Sequence, residues 1–576
     1  MSAVSLSTPA AAVGTLNAVI KAPPASATAV AQAAASSAET VPATSFSASA
    51  PVAIPPAASG DKRFLYITQM PSGLDSADLT YEALAQAQLQ PRSGRMQVWE
   101  QPPGAKNAVD QVLGRNAGAT SEQARFAGLG AALLEQVAST GTGYKQTVVN
   151  IGAAYSPDRI QGKATEALWD IKARPSASTE LTIKTQSGAT VRLSIHDQKA
   201  PTSTGSGIAV QIEVEGDLTA QEKEALQSLA KGFDEALEGL TRDPPLLNLE
   251  GLMKADSKLL TKVELKAEVY GLNDKGERAM VLGTRFTANA DSREIELKTL
   301  KGTATVKTDL RQSAIWGSAE QKARAVQQYL SRVDKAAERG NGNQELVDLF
   351  KSSFAALHGG YGATDKAASG LDRVRPADIT SDADAFSEED HSLLTGLADF
   401  NASIVTNRRA VNPRRTNEID IFDYRIGQST QISGGSAASR AITQTQTSDL
   451  IAGYHRSLRT KREPDLSSDS STQNYYYTQV EDHSSTRMEL AYEKDKPVRA
   501  LISQTASQSL RTIMVEFNKV VDTVEEPLQQ QSRQTDLLPL LQQMLRREEA
   551  KELSSEEKQR TLREWNGMVL GELGSV

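Results

Sequence analysis

The stretch of sequence that decides the fold class runs from 181 to 240 and begins with LTIKTQSGATVRLSIHDQ over residues 181–198. Apolar and polar residues alternate on both sides of Ser187-Gly188, with the period of two that a half-buried strand shows. The Ser-Gly pair supplies a turn between the two runs. A third alternating run, IAVQIEV, covers 208–214 and ends before Gly216. The sequence therefore predicts an antiparallel hairpin followed by a third strand.

A helix is predicted directly after these strands. Thr219 and Glu222 have the spacing of a capping box. Apolar residues then recur at helical spacing, at Leu226, Leu229, Phe233, Leu237 and Leu240. Three strands with one polar face must bury the other face, and this helix is the nearest apolar element that can cover it. The predicted fold class is α+β, in which antiparallel hairpins are covered by helices.

The rest of the chain divides into segments of similar type. At about 150 residues per domain, 576 residues predict three to four domains, and about three without the N-terminal tail. We predict a multi-domain chain with a disordered tail over 1–60, a mixed α/β segment over 61–178, a hairpin and helix module over 179–312, a helical segment over 313–405, a β-rich module over 406–525 and C-terminal helices over 526–576.

The N-terminal tail has an unusual composition. Residues 1–60 are almost all Ala, Ser, Thr, Pro and Val, and Lys21 and Glu39 are their only charges. Prolines prevent a long helix, and the segment offers too little apolar surface to offset the entropy of ordering. We therefore predict disorder. One interpretation is a linker or tether, and the other is an uncleaved export signal of the type III or flagellar kind.

Composition excludes several kinds of chemical site. The chain has no Cys, which excludes disulfides, thiolate metal sites and a Cys nucleophile. The histidines are spread along the chain without metal-ligand spacing, at His196, His358, His391, His455 and His483. We therefore predict no cofactor and no metal.

The charge distribution argues against a nucleic-acid partner. The net charge is -8, whereas binding to a phosphate backbone requires a basic domain or stripe. Two clusters of basic residues lie among Asn, Pro, Ser and Thr, which is typical of solvated loops: Arg408, Arg409, Arg414 and Arg415, then Arg456, Arg459, Lys461 and Arg462.

No run approaches about 18 apolar residues, so we predict no integral membrane segment. The N-terminus lacks a basic start and a Leu-rich stretch, so we predict no cleaved secretory signal.

Two loops resemble ion-binding motifs. Gly162-Lys163 is similar to the end of a phosphate loop, but the first glycine of that motif would fall at Pro157. Acidic and hydroxyl residues fit part of a calcium loop, but Ala383 occupies the position that needs glycine: Asp378, Thr380, Asp382 and Glu389. A plain loop explains the first pattern, and helix capping explains the second.

Three further patterns have structural explanations. His196-Asp197 ends a strand and would suit a polarised base, but neighbouring strand residues point to opposite faces. The run 475–477 is Tyr-Tyr-Tyr, which would bind a carbohydrate or a partner strand if exposed and covers a neighbouring hairpin if buried. Trp565 lies on a helical stripe of apolar residues. This stripe would either dock a chaperone or close a core. We assign no catalytic, cofactor-binding or metal-ligating residue.

Part of the chain resembles a group of uncharacterised proteobacterial proteins. The resemblance is carried by the alternating hairpin, by Val210-Gln-Ile-Glu-Val-Glu-Gly-Asp-Leu218 and by the capped helix that follows. Strands that end on Tyr454 and Tyr492 look similar to the same group. The resemblance covers about a third of the chain and carries no catalytic signature. It implies a bacterial source and no particular reaction.

These observations favour a non-enzymatic bacterial interaction protein, exported or surface-associated without a cleaved signal peptide, whose sheet edges and loops contact a protein partner. Two alternatives stay open. One is an exported effector or hydrolase whose site is assembled from distant residues, and the other is a cytoplasmic structural or regulatory protein. A deep pocket lined by His, Asp or Glu would favour the enzyme, and a flat paired surface would favour the interaction protein. The sequence leaves the oligomeric state open.

Overall fold

The computed structural model describes residues 66–69, 95–152, 166–199, 206–242, 245–359, 361, 386–436, 438–460, 462–571 and 573. The predicted disordered tail over 1–60 lies outside the described residues. So do Gly162-Lys163 and the first three positions of the calcium-like motif.

The described strands form one large sheet. They are β1 Tyr66–Gln69, β2 Arg95–Trp99, β3 Tyr144–Gly152, β4 Ala177–Thr185, β5 Thr190–Gln198, β6 Ser206–Glu215, β7 Leu260–Leu272, β8 Arg278–Asn289, β9 Ser292–Thr299, β10 Gly302–Asp309, β11 Asp399–Thr406, β12 Ile421–Ser436, β13 Ser439–Ser457, β14 Tyr475–Glu493, β15 Lys496–Glu516 and β16 Lys519–Asp536. Their order is β1-β2-β3-β6-β5-β4-β7, and from β7 to β16 each strand lies beside the next one in the sequence. Every neighbouring pair is antiparallel.

The helices lie mainly on one face of this sheet. They are α1 Ala108–Asn116, α2 Glu122–Phe126, α3 Leu129–Thr140, α4 over 166–173, α5 Ala220–Leu240, α6 Glu250–Met253, α7 Ala319–Gly340, α8 Gln344–Gly359, α9 Glu388–Ser392, α10 Leu538–Glu549 and α11 Ser555–Leu570. Their apolar residues share one core with alternate residues of β4 to β13, including Phe233, Phe286, Phe350 and Phe400. The predicted α+β class, with an antiparallel sheet covered by helices, is confirmed.

The hairpin that decided the fold class is present as predicted. Strands β4 and β5 pair with Leu181 opposite Leu193, and β6 adds to the other side of β5. Helix α5 begins at the capping box of Thr219 and Glu222, in which each residue bonds the backbone of the other. Side chains of α5 then pack on the face that carries Leu181 and Leu193.

Two parts of the sequence-based assignment need correction. Residues 526–536 were assigned to C-terminal helices, but they form the second half of β16, and the helical C-terminus begins with α10. Residues 399–406 lie in the segment assigned as helical, yet they form β11. The helix capped by Ser387 ends at Ser392, and the chain turns at Gly396, which has a left-handed conformation (φ +79°), before β11 begins. All the predicted segments after the tail contribute strands to the one sheet.

Buried glutamines attach the last helix to the sheet. The carbonyl groups at the end of α11 have no partner within the helix, as at any helix C-terminus. Gln446 on β13 donates to the carbonyl of Val569 at 3.0 Å, and Arg332 on α7 donates to that of Leu570 at 2.7 Å. Gln504 on β15 donates to the carbonyl of Gly571 at 2.8 Å. Polar strand residues on the covered face therefore act as caps for α11.

The opposite face of the sheet, called here the open face, carries mostly polar side chains. Helix α4 covers it over β2, β3 and β6, where Ile171 packs against Val149. Over the central strands, ion pairs run along and across neighbouring strands, such as Lys262 with Glu264 at 2.6 Å. Such pairs satisfy the charges without a covering layer, so this part of the sheet needs no second helical layer.

A buried ion pair joins α2 to the end of β5. Arg125 and Asp197 lie 2.6 Å apart, with side chains only 1% and 0% exposed. The same guanidinium donates to the carbonyls of Ala117 and Gly207, each at 2.9 Å. Removing one member of a buried pair leaves the other charge without compensation, which is costly.

We expect Asp197→Ala to lower the free energy of unfolding by about 3–5 kcal/mol, because Arg125 is left charged and buried. Arg192→Ala is the matched control on the same strand, since its pair with Glu215 is exposed; we expect a change below about 0.5 kcal/mol. The measurement is urea unfolding followed by circular dichroism. Equal effects of the two variants would contradict this assignment.

Candidate interaction edge

The last strand of the sheet is paired on one side only. β16 is 18 residues long and pairs with β15 from Lys519 opposite Glu516 to Asp536 opposite Leu501. Among the described strands, none pairs with its other side, which we call the β16 edge. Nearly all the residues of β16 whose side chains are described are exposed. The strand is held by β15 and is otherwise open to solvent.

An unpaired strand edge presents a row of backbone N–H and C=O groups that can hydrogen-bond to another strand. Strands in globular proteins are usually about 3–10 residues long, and edge strands are often shorter still. At 18 residues, β16 is well beyond that range. Its length makes the β16 edge an unusually extended template for pairing.

Apolar side chains are exposed near the tip of the β15–β16 hairpin. Phe517 is 65% exposed, Val521 54% and Val524 53%, and Leu528 further along is 58% exposed. The turn residues Phe517 and Asn518 both have positive φ, at 48° and 65°. A left-handed conformation suits Asn but is unfavourable for Phe. Phe517 is thus an exposed aromatic residue, and the rest of the turn must stabilise its unfavourable backbone conformation.

Two bulges interrupt the pairing of β16. One falls at Val521, because Val520 is opposite Val515 whereas Asp522 is opposite Met514. The second falls at 527–528, because Glu526 is opposite Leu510 whereas Gln529 is opposite Gln508. Each bulge shifts by one residue the alternation of side chains between the two faces.

The register with β15 fixes which face each side chain of β16 occupies. Opposed residues in an antiparallel pair point to the same face. Partners of even-numbered β15 residues, which include the core residue Ile502, therefore lie on the helix-covered face: Lys519, Asp522, Val524, Glu526, Gln529, Gln531, Arg533 and Thr535. Partners of odd-numbered β15 residues lie on the open face, among them Thr523, Glu525, Gln530 and Ser532.

A buried histidine lies on the open face beside this hairpin. The segment 407–420 covers the ends of β13 and β14 and places two acids against His455. Nδ1 of His455 is 2.6 Å from Oδ1 of Asp420, and Nε2 is 3.0 Å from Oε2 of Glu418. The hydroxyl of Tyr475 donates to the same oxygen of Glu418 at 2.7 Å. Each ring nitrogen of His455 thus faces one carboxylate.

These contacts set the protonation of the cluster. Burial by itself lowers the pKa of His455, but the hydrogen bonds to Asp420 and Glu418 outweigh it and raise that pKa above its ordinary value. Burial raises the pKa of Glu418, and the bonds from His455 and Tyr475 outweigh burial and lower that pKa. The arrangement therefore favours an imidazolium held between two carboxylates.

Arg415 connects this cluster to the hairpin tip. Its guanidinium lies 3.5 Å from Glu418 and donates to the carbonyl of Asn518 at 3.1 Å. The amide of Phe517 donates to Asn474 at 3.0 Å, and that of Asn518 donates to the carbonyl of Gln473 at 3.2 Å. The turn between β15 and β16 is thus fixed by contacts with the chain around His455.

The residues of the sequence-predicted motifs lie in separate places. Asp197 pairs with Arg125 in the core, while His196 is half-buried on the open face, so the two side chains point apart as expected. Glu389 binds Lys558 at 2.7 Å. Trp565 is buried in a core cluster, which confirms the core interpretation.

The tyrosine run 475–477 occupies both faces of β14. Tyr475 and Tyr477 are buried on the open face against His455, with ring centroids 4.9 and 4.7 Å from the imidazole. Tyr476 is half-buried on the other face. The buried interpretation is confirmed for two of the three rings, and the covering element is the 407–420 segment.

The basic clusters predicted as solvated loops make specific contacts. Arg409 lies 2.7 Å from Glu463, and Arg414 donates to the carbonyl of Ser468 at 2.6 Å.

Among the other histidines, His358 is fully buried beside Tyr361, and burial lowers its pKa to about 3. His483 is half-exposed and paired with Asp449. The structure brings none of these described histidines together with His455.

Two cavities in the described part of the chain have volumes of about 450 and 180 Å³. The larger is lined by residues of α10 and the following turn, including Arg546, Arg547 and Glu552. The smaller lies between α11 and the last two strands and is lined by Gln504, Arg533 and Thr535 among others. Neither lining combines a histidine with a carboxylate.

No described helix is long and apolar enough to span a membrane. No family model matches the chain, and no curated protein and no solved structure is significantly similar to it.

Sequence reasoning missed the β16 edge because it assigned 526–536 to helices. A signal against a helix was available. Pro527 would interrupt a helix, and the run LQQQSRQTD over 528–536 has no apolar residues at helical spacing. The His455 cluster gave no such signal, since Glu418, Asp420 and His455 are separated in sequence and meet only when β13 lies under the 407–420 segment.

We expect His455→Gln to lower the free energy of unfolding by about 2–4 kcal/mol at low pH, because two buried carboxylates lose the imidazolium between them. The raised pKa of His455 fixes the sign of the pH dependence. Its contribution is complete below the unfolded value of 6.5 and is lost as the pH rises through the folded pKa. The difference between wild type and variant should therefore be largest at a pH below 6.5 and smaller at a pH well above it.

Urea unfolding at both pH values measures this difference. His483→Gln is the matched control, since His483 also pairs with an aspartate on the open face but is half-exposed. We expect the control to change stability by less than about 0.5 kcal/mol. A difference that grows with pH for His455→Gln would show that the imidazolium does not hold the cluster.

Proposed function

We propose that this chain is a non-enzymatic interaction protein that binds a protein partner by strand addition at the β16 edge. The observation that supports this most directly is the edge itself. It combines 18 residues of strand with exposed apolar side chains at Val521, Val524 and Leu528. In strand addition, backbone hydrogen bonds supply affinity and alternate side chains supply specificity.

The geometry of the rest of the molecule favours this proposal. Proteins usually protect a free edge with charged residues, a short strand or a covering element. β16 has bulges and several charged residues. It is nevertheless a long strand, and its exposed valines can contact a partner. The contacts of Arg415 and Asn474 hold the hairpin tip in place, so the edge is presented as a preformed strand. A preformed strand loses less entropy on pairing than a loop would.

The alternative of a hydrolase has less support from the described residues. General acid-base catalysis needs an acid and a base that both reach a substrate. The linings of the two cavities supply no such pair. The closest arrangement of histidine and carboxylates, around His455, is buried beneath the 407–420 segment and its polar atoms are engaged with one another.

Photo-crosslinking of the full chain in the cells that produce it tests the proposed function. Benzoylphenylalanine placed at Val524 or Gln531, both on β16, should give covalent adducts with the partner strand, because both positions are next to the unpaired edge. The same probe at Thr445, on the open face of an interior strand, is the control. We expect adducts from both edge positions above the level of the control.

Mass spectrometry of the adducts identifies the partner. Adducts that map to another protein or to a second copy of the chain both support strand addition. Equal yields from the edge positions and from Thr445 would overturn the proposed function.

We also propose that the protein has a bacterial source and is exported or surface-associated. The bacterial source rests on the resemblance of 210–218 and its neighbouring elements. The export proposal rests on the lack of Cys, which avoids cross-linking in transit, and on the nearly uncharged composition of residues 1–60.

Cell fractionation tests the export proposal. We expect the protein in the culture fluid or envelope of the parent strain and only in the cytosol of a strain without its type III or flagellar export ATPase. Removal of residues 1–60 should have the same effect as loss of the ATPase. Cytosolic protein in both strains would instead support the intracellular structural or regulatory alternative.

A further inference from the structure

The β16 strand is complementary to itself. We propose that its partner is a second copy of this chain, whose β16 adds antiparallel in the register that places residue 522 of one copy opposite residue 533 of the other. This inference rests on the proposed function and names the partner of the same edge. The two copies would be related by a two-fold axis that passes between positions 527 and 528 of the two strands.

The bulge at the middle of β16 makes this register possible. Two antiparallel strands related by a two-fold axis must place opposed residues on the same face of the joint sheet. In a regular strand, residues 522 and 533 would point to opposite faces because they are an odd number apart. The bulge at 527–528 shifts the alternation by one, so both Asp522 and Arg533 lie on the helix-covered face.

The same shift also aligns the backbone hydrogen-bonding groups of the two strands. Asp522 and Glu526 oppose even-numbered residues of β15, and so do Gln529 and Arg533. These four residues therefore occupy equivalent positions in the hydrogen-bond pattern with β15. Their backbone N–H and C=O groups all point toward the same side of the strand. Pro527, which has no N–H group, falls at the bulge, where the ladder is already interrupted.

Charge complementarity selects the register. Placing Asp522 opposite Arg533 creates two cross-strand ion pairs, one on each side of the axis. A shift of two residues either way removes both pairs, because Asp522 then faces Gln531 or Thr535. In the chosen register, no two acids and no two bases oppose each other between 522 and 533. Cross-strand pairs of opposite charge stabilise a sheet, and like charges oppose pairing.

Three of the remaining pairs join polar side chains that can hydrogen-bond. On the helix-covered face Glu526 is opposite Gln529, whose amide donates to a carboxylate. On the open face Glu525 is opposite Gln530 in the same way, and Thr523 is opposite Ser532. The pairing would join the sheets of two copies edge to edge, so that neither β16 remains free. Closed two-fold pairing of this kind consumes the edge and prevents further growth there.

Because the chain has no Cys, introduced cysteines report the register without background. Thr523→Cys and Ser532→Cys are prepared as two separate full-length variants and mixed under mild oxidation. The two sites are nine residues apart in one strand, about 30 Å, so neither variant alone can form this disulfide within a copy or across the axis. The proposed register brings residue 523 of one copy beside residue 532 of the other.

We expect a disulfide-linked dimer from this mixture and much less from either variant alone. The matched control mixes Thr523→Cys with Gln534→Cys, which lies on the same face two residues further along. We expect at least roughly tenfold less crosslinking in the control, because a two-residue shift moves the sulfur atoms about 7 Å apart. Equal crosslinking in both mixtures would overturn the register.

Charge reversal tests the same pair in solution. Sedimentation velocity of the full chain should show a dimer, and Asp522→Arg should raise its dissociation constant by roughly tenfold or more, because Arg then opposes Arg533 on both sides of the axis. Arg533→Asp should have a similar effect. The double variant D522R/R533D restores opposite charges and should restore the dimer.

Failure of this inference is distinct from failure of the proposed function. A chain that stays monomeric up to about 100 µM, with no crosslink in the mixed cysteine variants, overturns self-pairing. If photo-crosslinks from Val524 and Gln531 then map to another protein, strand addition at the β16 edge still stands. A double variant that fails to restore the dimer, although its unfolding midpoint is unchanged, would overturn the proposed ion pairs.

Discussion

Backbone hydrogen bonding is the constraint on which the rest of this structure depends. The backbone groups of an interior strand pair on both sides, and in this sheet every strand from β2 to β15 pairs in this way. Because each strand from β7 onward lies beside the next strand in the sequence, the chain adds one paired strand after another to one side of the sheet. An open sheet of this kind always ends in two edges. The last of these edges, β16, is where the described part of the chain leaves its longest unpaired row of backbone groups.

On the helix-covered face, strands that are rich in polar residues are buried on one side. Strands β12 to β15 carry Gln and Thr at positions where a purely apolar core would have aliphatic residues. Those side chains bond the last carbonyls of α11 and the backbone near Thr395, including a bond from the amide of Thr395 to Gln444 at 2.8 Å. Buried polar groups cost free energy unless they are paired, so this network also fixes where the helix lies. The network therefore supports these strands on one face, while none of the described strands pairs with the outer side of β16.

The open face achieves stability in another way. Ion pairs between neighbouring strands satisfy its charges in the centre, and the 407–420 segment covers it near β13 and β14. His455, Glu418 and Asp420 anchor that segment, and Arg415 extends the contacts to the turn before β16. The cluster thus has a structural role that extends to the turn before β16. It stabilises the tip of the hairpin whose second strand carries the exposed side chains of Val524 and Leu528.

The sequence alone determined the α+β class, the hairpin of β4 and β5, the capped helix α5 and the exclusion of thiol chemistry, because alternation, capping and composition are local properties. It also determined the charges of Asp522 and Arg533 without showing that both side chains lie on the helix-covered face. Only the tertiary structure decided that the segments share one sheet, that 526–536 is a strand and that His455 meets two acids. The physical reason is that strand pairing joins residues far apart in sequence, and a polar strand such as β16 takes its conformation from its neighbour β15 more than from its own residues.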